Sequence, residues 1–316
     1  MGIRILINVA RFVVTYVVAT VAVFFFMRAI PGDPAQIALG VNATPELLAK
    51  TRAEFGTDRP LIVQYFDWAL GLPFGDFGTS YVTRQDISPL IVDRVQVSLI
   101  LVILAMIVAL AIAVPFGTYA AVKHRNPSGI VISGISQLGV AIPNFLAGIL
   151  LVVVFAVSLG WLPANGWTPP GVDFADFLAR VILPVLALAS VQGAILTRYV
   201  RSAVMEVMSE DYLRTARSKG LSKMQALVKH GLRNASIPVL TVTSVQLAAL
   251  IIGAVVIERV FVIPGLGSML LDAVGNRDLL TVQSVVMVLV AITLIINLVV
   301  DVLYTILDPR IRKGAS

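Results

Sequence analysis

The sequence predicts an all-α polytopic membrane protein with six transmembrane helices. Of its 316 residues, 58% are hydrophobic and only 13% are charged, whereas an ordinary globular chain is about one quarter charged. Six long runs contain no Asp, Glu, Lys or Arg, and they reach or approach the roughly 20 residues that a membrane-spanning helix needs. These runs are 12–27, 95–122, 126–172, 181–197, 234–257 and 279–300. The composition therefore excludes soluble enzymes, disordered chains and fibrous proteins.

The spans follow from these runs and their flanking residues. We assign 1–30 to the N-terminus and first span, since the apolar run meets Pro31 rather than a small-residue cleavage site. An extramembrane region with short helices follows at 31–94. A helical core at 95–308 and a tail at 309–316 complete the chain. The third run is divided near Gly160, because Gly and Pro break helices there. The predicted core spans are 95–122, 129–159, 180–200, 236–263 and 281–307.

Charged residues divide unequally between the two sides of this arrangement. Six spans place both termini on one side, and that side carries 15 of the 24 basic residues. The opposite side carries 13 of the 18 acidic residues. Because Lys and Arg are enriched in cytoplasmic loops, we expect both termini in the cytoplasm and 31–94 outside. This distribution explains the net charge of +6 without a nucleic-acid partner, since no stacking aromatics accompany the basic clusters.

The region 31–94 contains local signals for two short helices. Thr44 followed by Pro45 and Glu46 predicts a helix start, and Gly56 predicts its end. A second, amphipathic segment runs over 61–70, and its aromatic residues suit a membrane interface. These aromatics are Tyr65, Phe66 and Trp68. The region is either a solvated cap on the helices or a surface that contacts substrate.

The residues needed for common catalytic chemistry are missing from the sequence. There are no cysteines, only two histidines (His124 and His230), and no His-Glu-x-x-His or Gly-x-Ser-x-Gly motif. No Gly-Lys dipeptide occurs, so the phosphate-binding loop of ATPases is absent. We therefore predict no catalytic site and no metal site. Asp301 is the one acid well inside a span, and it shares a helical face with Asn297, which favours a packing role.

The connection between the fourth and fifth spans, 209–235, predicts two short capped helices. Ser209 is expected to cap the first, with acids in its first turn, and Gly220 to end it. Ser222 is expected to cap the second, whose apolar stripe comprises Met224, Leu227, Val228, Leu232 and Ala235. The first helix would either seat in a partner protein's groove through Tyr212, Leu213 and Ala216, or lie on anionic lipid. The residue pattern alone favours neither alternative.

This segment resembles a cytoplasmic loop of ABC-importer permeases, whose general pattern is Glu-Ala-Ala, three residues, Gly and a later Pro. Aligned on Gly220, the pattern places Arg214 at the leading Glu and Pro238 at the late Pro. Arg214 departs from the general pattern. The run Asp211-Tyr212-x-Arg214-Thr215-Ala216-x-x-Lys219-Gly220-Leu221 nevertheless matches the form found in dipeptide, oligopeptide and nickel permeases.

Further matches extend over the whole chain. They are Ile30-Pro31-Gly32-Asp33-Pro34, Gly75-Asp76-Phe77-Gly78, Glu258-x-x-Phe261-x-x-Pro264-Gly265-x-Gly267, and Asn297-x-x-x-Asp301-x-x-Tyr304-x-x-x-Asp308-Pro309-Arg310-x-Arg312. Together these motifs are similar to the B-type permease subunit of the dipeptide, oligopeptide and nickel ABC importers.

The resemblance implies a type I ABC-importer permease fold in the bacterial cytoplasmic (inner) membrane, surrounded by lipid. It implies a homologous second permease, two ATPase subunits that carry ATP and Mg, and an extracytoplasmic substrate-binding protein. This chain would be no enzyme and hold no cofactor. The implied substrates are di- or oligopeptides, with nickel or a metal chelate as the alternative. An ion-coupled secondary transporter is disfavoured, because no charged site accompanies the prolines that would kink the spans, Pro143 and Pro184.

The resemblance also assigns roles to residues. The helix that couples to the ATPase would comprise Asp211, Tyr212, Arg214, Thr215, Ala216, Lys219 and Gly220. Polar residues of the spans are candidates for the translocation path, although each fits an interhelical hydrogen bond equally well. They are Gln137, Asn144, Gln192 and Gln246. Motif residues with an expected structural role are Pro31, Gly32, Asp33, Pro34, Glu258, Pro264, Gly265, Asn297, Asp301, Asp308 and Arg310.

Overall fold

The computed structural model describes the backbone of residues 2–307 and the side chains of 6–300 and 302. The regular elements of this part are helical. The α-helices are α1 (Gly2–Ala29), α2 (Pro34–Leu39), α3 (Pro45–Phe55), α4 (Leu61–Ala69), α5 (Ile87–Val122), α6 (Pro127–Ala141), α7 (Asn144–Leu151), α8 (Phe174–Met208), α9 (Asp211–Ser218), α10 (Lys223–Ala226), α11 (Leu232–Val260), α12 (Leu266–Gly275) and α13 (Leu279–Leu307). Two π-helical segments, Val152–Ser158 and Leu227–Gly231, follow α7 and α10.

The chain divides into two compact units. The N-terminal unit comprises Gly2–Ser98 and Pro264–Ile295, and the central unit comprises Leu99–Ile263 and the chain from Ile296. Some predicted motif side chains lie outside the described residues, namely Asp301, Tyr304, Asp308 and Arg310.

Five helical segments are long and apolar enough to cross a membrane. They are Leu6–Ala29, Ile87–Val122, Phe174–Met208, Lys223–Val260 and Leu279–Val300. The span predicted at 129–159 differs, because Pro127–Ala141 and Asn144–Ser158 form a pair bent by 102°. Pro143 has no N–H to donate, and Ile142 before it takes an extended conformation with ψ 121°. Counting this pair as one span gives the predicted six.

The remaining core spans are longer than the apolar runs that predicted them. The helix predicted at 180–200 extends over Phe174–Met208, because Asp173 accepts hydrogen bonds from the N–H groups of Ala175 and Asp176 and so caps α8. Pro184 lies within this continuous helix, so the kink expected there does not break it. A transmembrane helix tolerates proline when neighbouring groups satisfy the backbone carbonyl that proline leaves without a hydrogen bond.

Two short helices of the N-terminal unit, α3 and α4, begin and end close to where the sequence predicts, whereas α2 and α12 were not predicted. Thr44 Oγ1 accepts from the Leu47 N–H at 3.3 Å, and Gly56 ends α3 with φ 67°. The interfacial role expected for Trp68 is wrong, since its indole is buried against Phe24 with ring centroids 6.1 Å apart. Phe66, by contrast, is exposed. Burial of the indole replaces its expected contact with lipid headgroups.

A buried carboxylate organises the loop between α4 and α5. Asp278 accepts hydrogen bonds from the hydroxyls of Ser80 and Thr281, both at 2.6 Å, and from the Tyr81 N–H at 3.2 Å. Asp278 is buried and stands immediately before α13. These charge-assisted bonds therefore fix the loop against the start of α13.

Candidate functional site

In the segment 209–235, the first helix starts one residue later than the sequence predicts. Ser209 does not cap α9, because its hydroxyl donates to the Glu206 carbonyl at 2.7 Å and so satisfies the last turn of α8. Glu210, with extended φ and ψ, occupies the N-cap of α9. Asp211 then lies in the first turn, where a carboxylate is favourable beside the positive end of the helix dipole.

One face of α9 is buried within the central unit. Leu213 is 3% exposed and Ala216 is also buried, so neither side chain is on the surface. Gly231 permits this packing, since a Cβ there would lie 3.3 Å from Leu213 Cδ1 and 3.1 Å from Val207 Cγ1. The side chains of Leu213 and Ala216 therefore anchor α9 to its own chain rather than forming a surface for a partner.

A side-chain hydrogen bond ties α9 to the first turn of α11. Asn234 Nδ2 donates to the Tyr212 hydroxyl at 2.9 Å, although the Tyr212 side chain is 38% exposed. Neither Asn234 nor Gly231 was expected at this site from the sequence. No short-range signal identifies them, because these partners lie 18 to 24 positions earlier in the chain.

The opposite face of α9 is solvent-exposed and carries both charge signs. Arg214 lies 3.3 Å from Asp211, and both side chains are mostly exposed, so this pair contributes little to stability. Thr215, Arg217 and Lys219 are exposed as well. The face presents guanidinium and ammonium groups that an acidic surface would complement.

Gly220 follows α9 and has a backbone φ of 94°, a conformation that residues other than glycine rarely adopt. A Cβ at this position would meet no atom within 4 Å. The glycine is therefore required by the backbone turn and not by packing. The next helix starts as predicted, because Ser222 and Gln225 form a reciprocal capping box.

A π-helical turn changes the apolar stripe predicted after Ser222. The segment Leu227–Gly231 winds more widely than an α-helix and shifts the residues that follow. Leu227 and Ala235 are buried as expected, but Met224 and Val228 are exposed. The predicted stripe is wrong at those two positions, which lie before the π turn and at its start, whereas Ala235 beyond the turn is buried as predicted.

Comparison with known proteins identifies the family. Residues 113–313 match the family described as binding-protein-dependent transport system inner membrane component, and residues 3–102 match the N-terminal part described for such membrane components. The chain belongs to this family. It is a permease component of an ABC importer.

Relatives of this permease match it over nearly their full length. The glutathione transport system permease protein GsiC of Salmonella choleraesuis is 40% identical over 94% of this chain and 95% of its own. A probable peptide ABC transporter permease protein of Sinorhizobium fredii is 36% identical over 99% of this chain and 100% of its own. The fold is shared with a solved structure, the crystal structure of an amino acid ABC transporter with histidines, at a TM-score of 0.51 and 17% sequence identity. The match covers 68% of this permease and 93% of that chain.

The four polar residues predicted for the translocation path occupy different environments in the permease. Gln192 is buried in α8, and its Oε1 has no hydrogen-bond partner among the described residues. Asn144, at the start of α7, packs against α11, because its Nδ2 lies 2.8 Å from the position of a Cβ at Gly253. Gln137 is exposed and Gln246 is half-buried.

The residues of the motif around Pro31 connect α1 to the short helices that follow it. Asp33 caps α2 by accepting from the Ala35 N–H at 3.0 Å, and it pairs with Arg52 of α3 at 2.7 Å. Gly32 has φ 136°, which glycine adopts without strain, and Pro34 opens α2. The motif thus joins the end of α1 to α3.

The residues of the motif after α11 form the turn between α11 and α12. Glu258 is 1% exposed, and its carbonyl accepts from the Ile263 N–H at 2.8 Å. Pro264 follows that turn and Gly265 precedes α12, whose first N–H, at Leu266, donates to Ser98 Oγ at 2.8 Å. Asn297 is exposed on α13. Within the described residues, no cluster of three or more His, Cys, Asp or Glu side chains suits a metal ion.

Proposed function

We propose that this permease takes up peptides, di- or oligopeptides, and forms the translocation path together with a homologous second permease. The names of its relatives carry this proposal, since one is called a peptide permease and another a glutathione permease. Glutathione is itself a tripeptide. Both names favour a peptide over nickel or a metal chelate, and neither names an ion-coupled transporter.

The segment 209–221 couples this path to two ATPase subunits, which bind ATP and Mg. Leu213 and Ala216 hold α9 on its own chain, and this leaves the exposed Tyr212, Arg214 and Lys219 for the ATPase. Arg214 occupies the position at which the general pattern has Glu. The group on the ATPase that pairs with Arg214 is therefore an acidic side chain. A helix anchored in this way transmits the approach of the ATPase subunits to α8 and α11 as a rigid-body movement.

Both termini and α9 lie in the cytoplasm, and the short helices of 31–94 lie outside. The distribution of Lys and Arg supports this orientation. An external substrate-binding protein delivers the peptide on the side of the short helices. Asn144, Gln192, Gln137 and Gln246 line or border the path; the unpartnered oxygens of Asn144 and Gln192 support a role for these two.

The substitution Gly220→Asp tests the coupling role. A side chain at φ 94° strains the backbone by roughly 1 kcal/mol or more, and a carboxylate at the negative end of α9 is electrostatically unfavourable. In a reconstituted importer, we expect Gly220→Asp to abolish uptake of a labelled dipeptide and to weaken ATPase retention after detergent extraction. Lys223→Ala, an exposed position beyond the turn, is the control and should retain most uptake.

Wild-type uptake by the Gly220→Asp importer, with the ATPase still bound, would contradict the coupling role. The peptide assignment is tested separately in the wild-type importer with its own binding protein. Uptake driven by ATP should be seen with dipeptides or longer peptides. Uptake of nickel salts but of no peptide would overturn the substrate class and leave the coupling role standing.

A further inference from the structure

The N-terminal unit contains a cavity of about 250 Å³ to which the transport proposal gives no role. Buried aromatic rings form its floor, namely Phe24, Trp68 and Tyr81. The volume is just below the range of about 300–1,000 Å³ that holds drug-sized ligands, so the occupant is a small molecule. The rings offer apolar and π-face contacts to that occupant.

Two hydrogen-bond donors in the cavity lining have no acceptor. Gln283 is 2% exposed, and its buried Nε2 has no partner among the described residues. The buried Nε of Arg28 likewise lacks a partner there. Arg28 Cζ lies 5.2 Å from the centroid of the Phe24 ring, so this guanidinium is held beside the aromatic floor. Buried donors are normally satisfied, so two unpartnered donors lining one cavity indicate a ligand that brings acceptor oxygens.

The rim of the cavity is acidic. Glu54, Asp67 and Asp76 line it with exposed carboxylates; Glu54 pairs with Arg84 at 3.2 Å, and Asp76 pairs with no basic side chain among the described residues. Arg59 pairs with Asp67 at 3.1 Å, and the exposed pairing leaves the carboxylate accessible to a second cation. The cavity thus combines donors in its interior with negative charge at its opening.

We propose that this cavity binds a small zwitterion with an apolar side chain, either a free α-amino acid or a dipeptide. The carboxylate of the ligand accepts hydrogen bonds from Arg28 and Gln283, the ammonium group lies at the acidic rim, and the side chain packs on the aromatic floor. A carboxylate is the preferred partner of a guanidinium, and an ammonium group is favoured near carboxylates. The proposal does not rest on the transport function, since the site belongs to one chain and needs no ATPase.

The test is a binding experiment on the full-length chain in phosphatidylcholine nanodiscs, with radiolabelled leucine as the probe. We expect saturable binding that N-acetyl-leucine, which keeps the carboxylate, displaces better than leucinamide, which lacks it. Competition by Leu-Leu compared with leucine distinguishes a peptide site from an amino-acid site. No saturable binding of leucine or Leu-Leu, or displacement by leucinamide at least as strong as by N-acetyl-leucine, would overturn the proposal.

Two variants locate the site. Gln283→Leu keeps the size of the side chain and removes its donor, and Arg28→Met removes the guanidinium; each should weaken binding roughly tenfold or more. Gln85→Leu replaces an exposed glutamine outside the cavity and should bind as the wild type does. If Gln283→Leu does not yield folded protein, Arg28→Met decides alone. Wild-type affinity in the folded variants would assign any leucine binding to another site and overturn the proposal.

Discussion

The substitution Leu213→Ala tests whether α9 is held by its buried face. Leu213 is 3% exposed and lies beside Val207 and Gly231. The change removes three buried carbon groups, each worth about 0.8 kcal/mol, and leaves a cavity. We therefore expect a loss of about 3 kcal/mol in the free energy that holds α9 in place. An isolated helix as short as α9 is unstable in water, so this loss is enough to release it.

Hydrogen exchange of the full-length chain in nanodiscs measures this loss. A change of about 3 kcal/mol corresponds to a rise of up to about 100-fold in the exchange rates of the amides in α9. The buried middle of α8 should change little, because its own packing is intact. Met224→Ala removes an exposed side chain of similar size and should alter exchange in α9 by about twofold at most. Equal exchange in the two variants would refute the anchoring of α9 by Leu213.

Three further predictions concern topology, activity and folding. Single cysteines that replace Lys123 and Lys219 should be labelled by an impermeant reagent from the same side of the membrane, and a cysteine that replaces Lys50 from the other side. Labelling at positions 123 and 219 from opposite sides would mean that the bent pair α6–α7 does not cross the membrane. The purified chain alone should hydrolyse no ATP, because the sequence has no Gly-Lys dipeptide, and hydrolysis that follows the chain through purification would contradict this. Asp278→Ala should destabilise the N-terminal unit by about 2 kcal/mol or more in thermal unfolding, since Ser80 and Thr281 lose a charged acceptor, whereas Asp58→Ala, at an exposed position between α3 and α4, should cost less. Equal midpoints for the two variants would show that the buried network contributes no stability.

The sequence by itself determined the features that depend on neighbouring residues. Charge-free runs identified the spans, because lipid excludes charged side chains over a fixed helix length. Thr44, Gly56 and Ser222 marked helix ends correctly, since a cap acts on backbone groups within three or four positions. Gly220 was expected to end the first helix of 209–235 for the same reason, and α9 ends at Ser218, two residues before it.

Two errors at the candidate site arose from competition between local signals. Ser209 had the chemistry of an N-cap, but its hydroxyl donates backwards to the carbonyl of Glu206 in the last turn of α8. The stripe from Met224 placed Met224 and Val228 on the buried face, but the structure buries Ala226 beside Leu227 at the start of the π turn and leaves both of them exposed. A serine hydroxyl can bond to backbone groups on either side of it, and the sequence does not show which bond forms. A π turn, which inserts one extra residue, likewise has no distinct sequence pattern.

Only the tertiary structure decided which faces are buried. Pro143 and Pro184 are the same residue in apolar runs, yet one separates α6 from α7 and the other lies inside α8. Trp68 was expected at a membrane interface, but its indole is buried in the core. The indole N–H donates a hydrogen bond to Ser284 Oγ, 216 positions later in the chain. Leu213 was expected to face either a partner protein or lipid, but it lies against Gly231, where the absence of a side chain lets the helices approach. Burial depends on which distant residues meet, and helical periodicity does not contain that information.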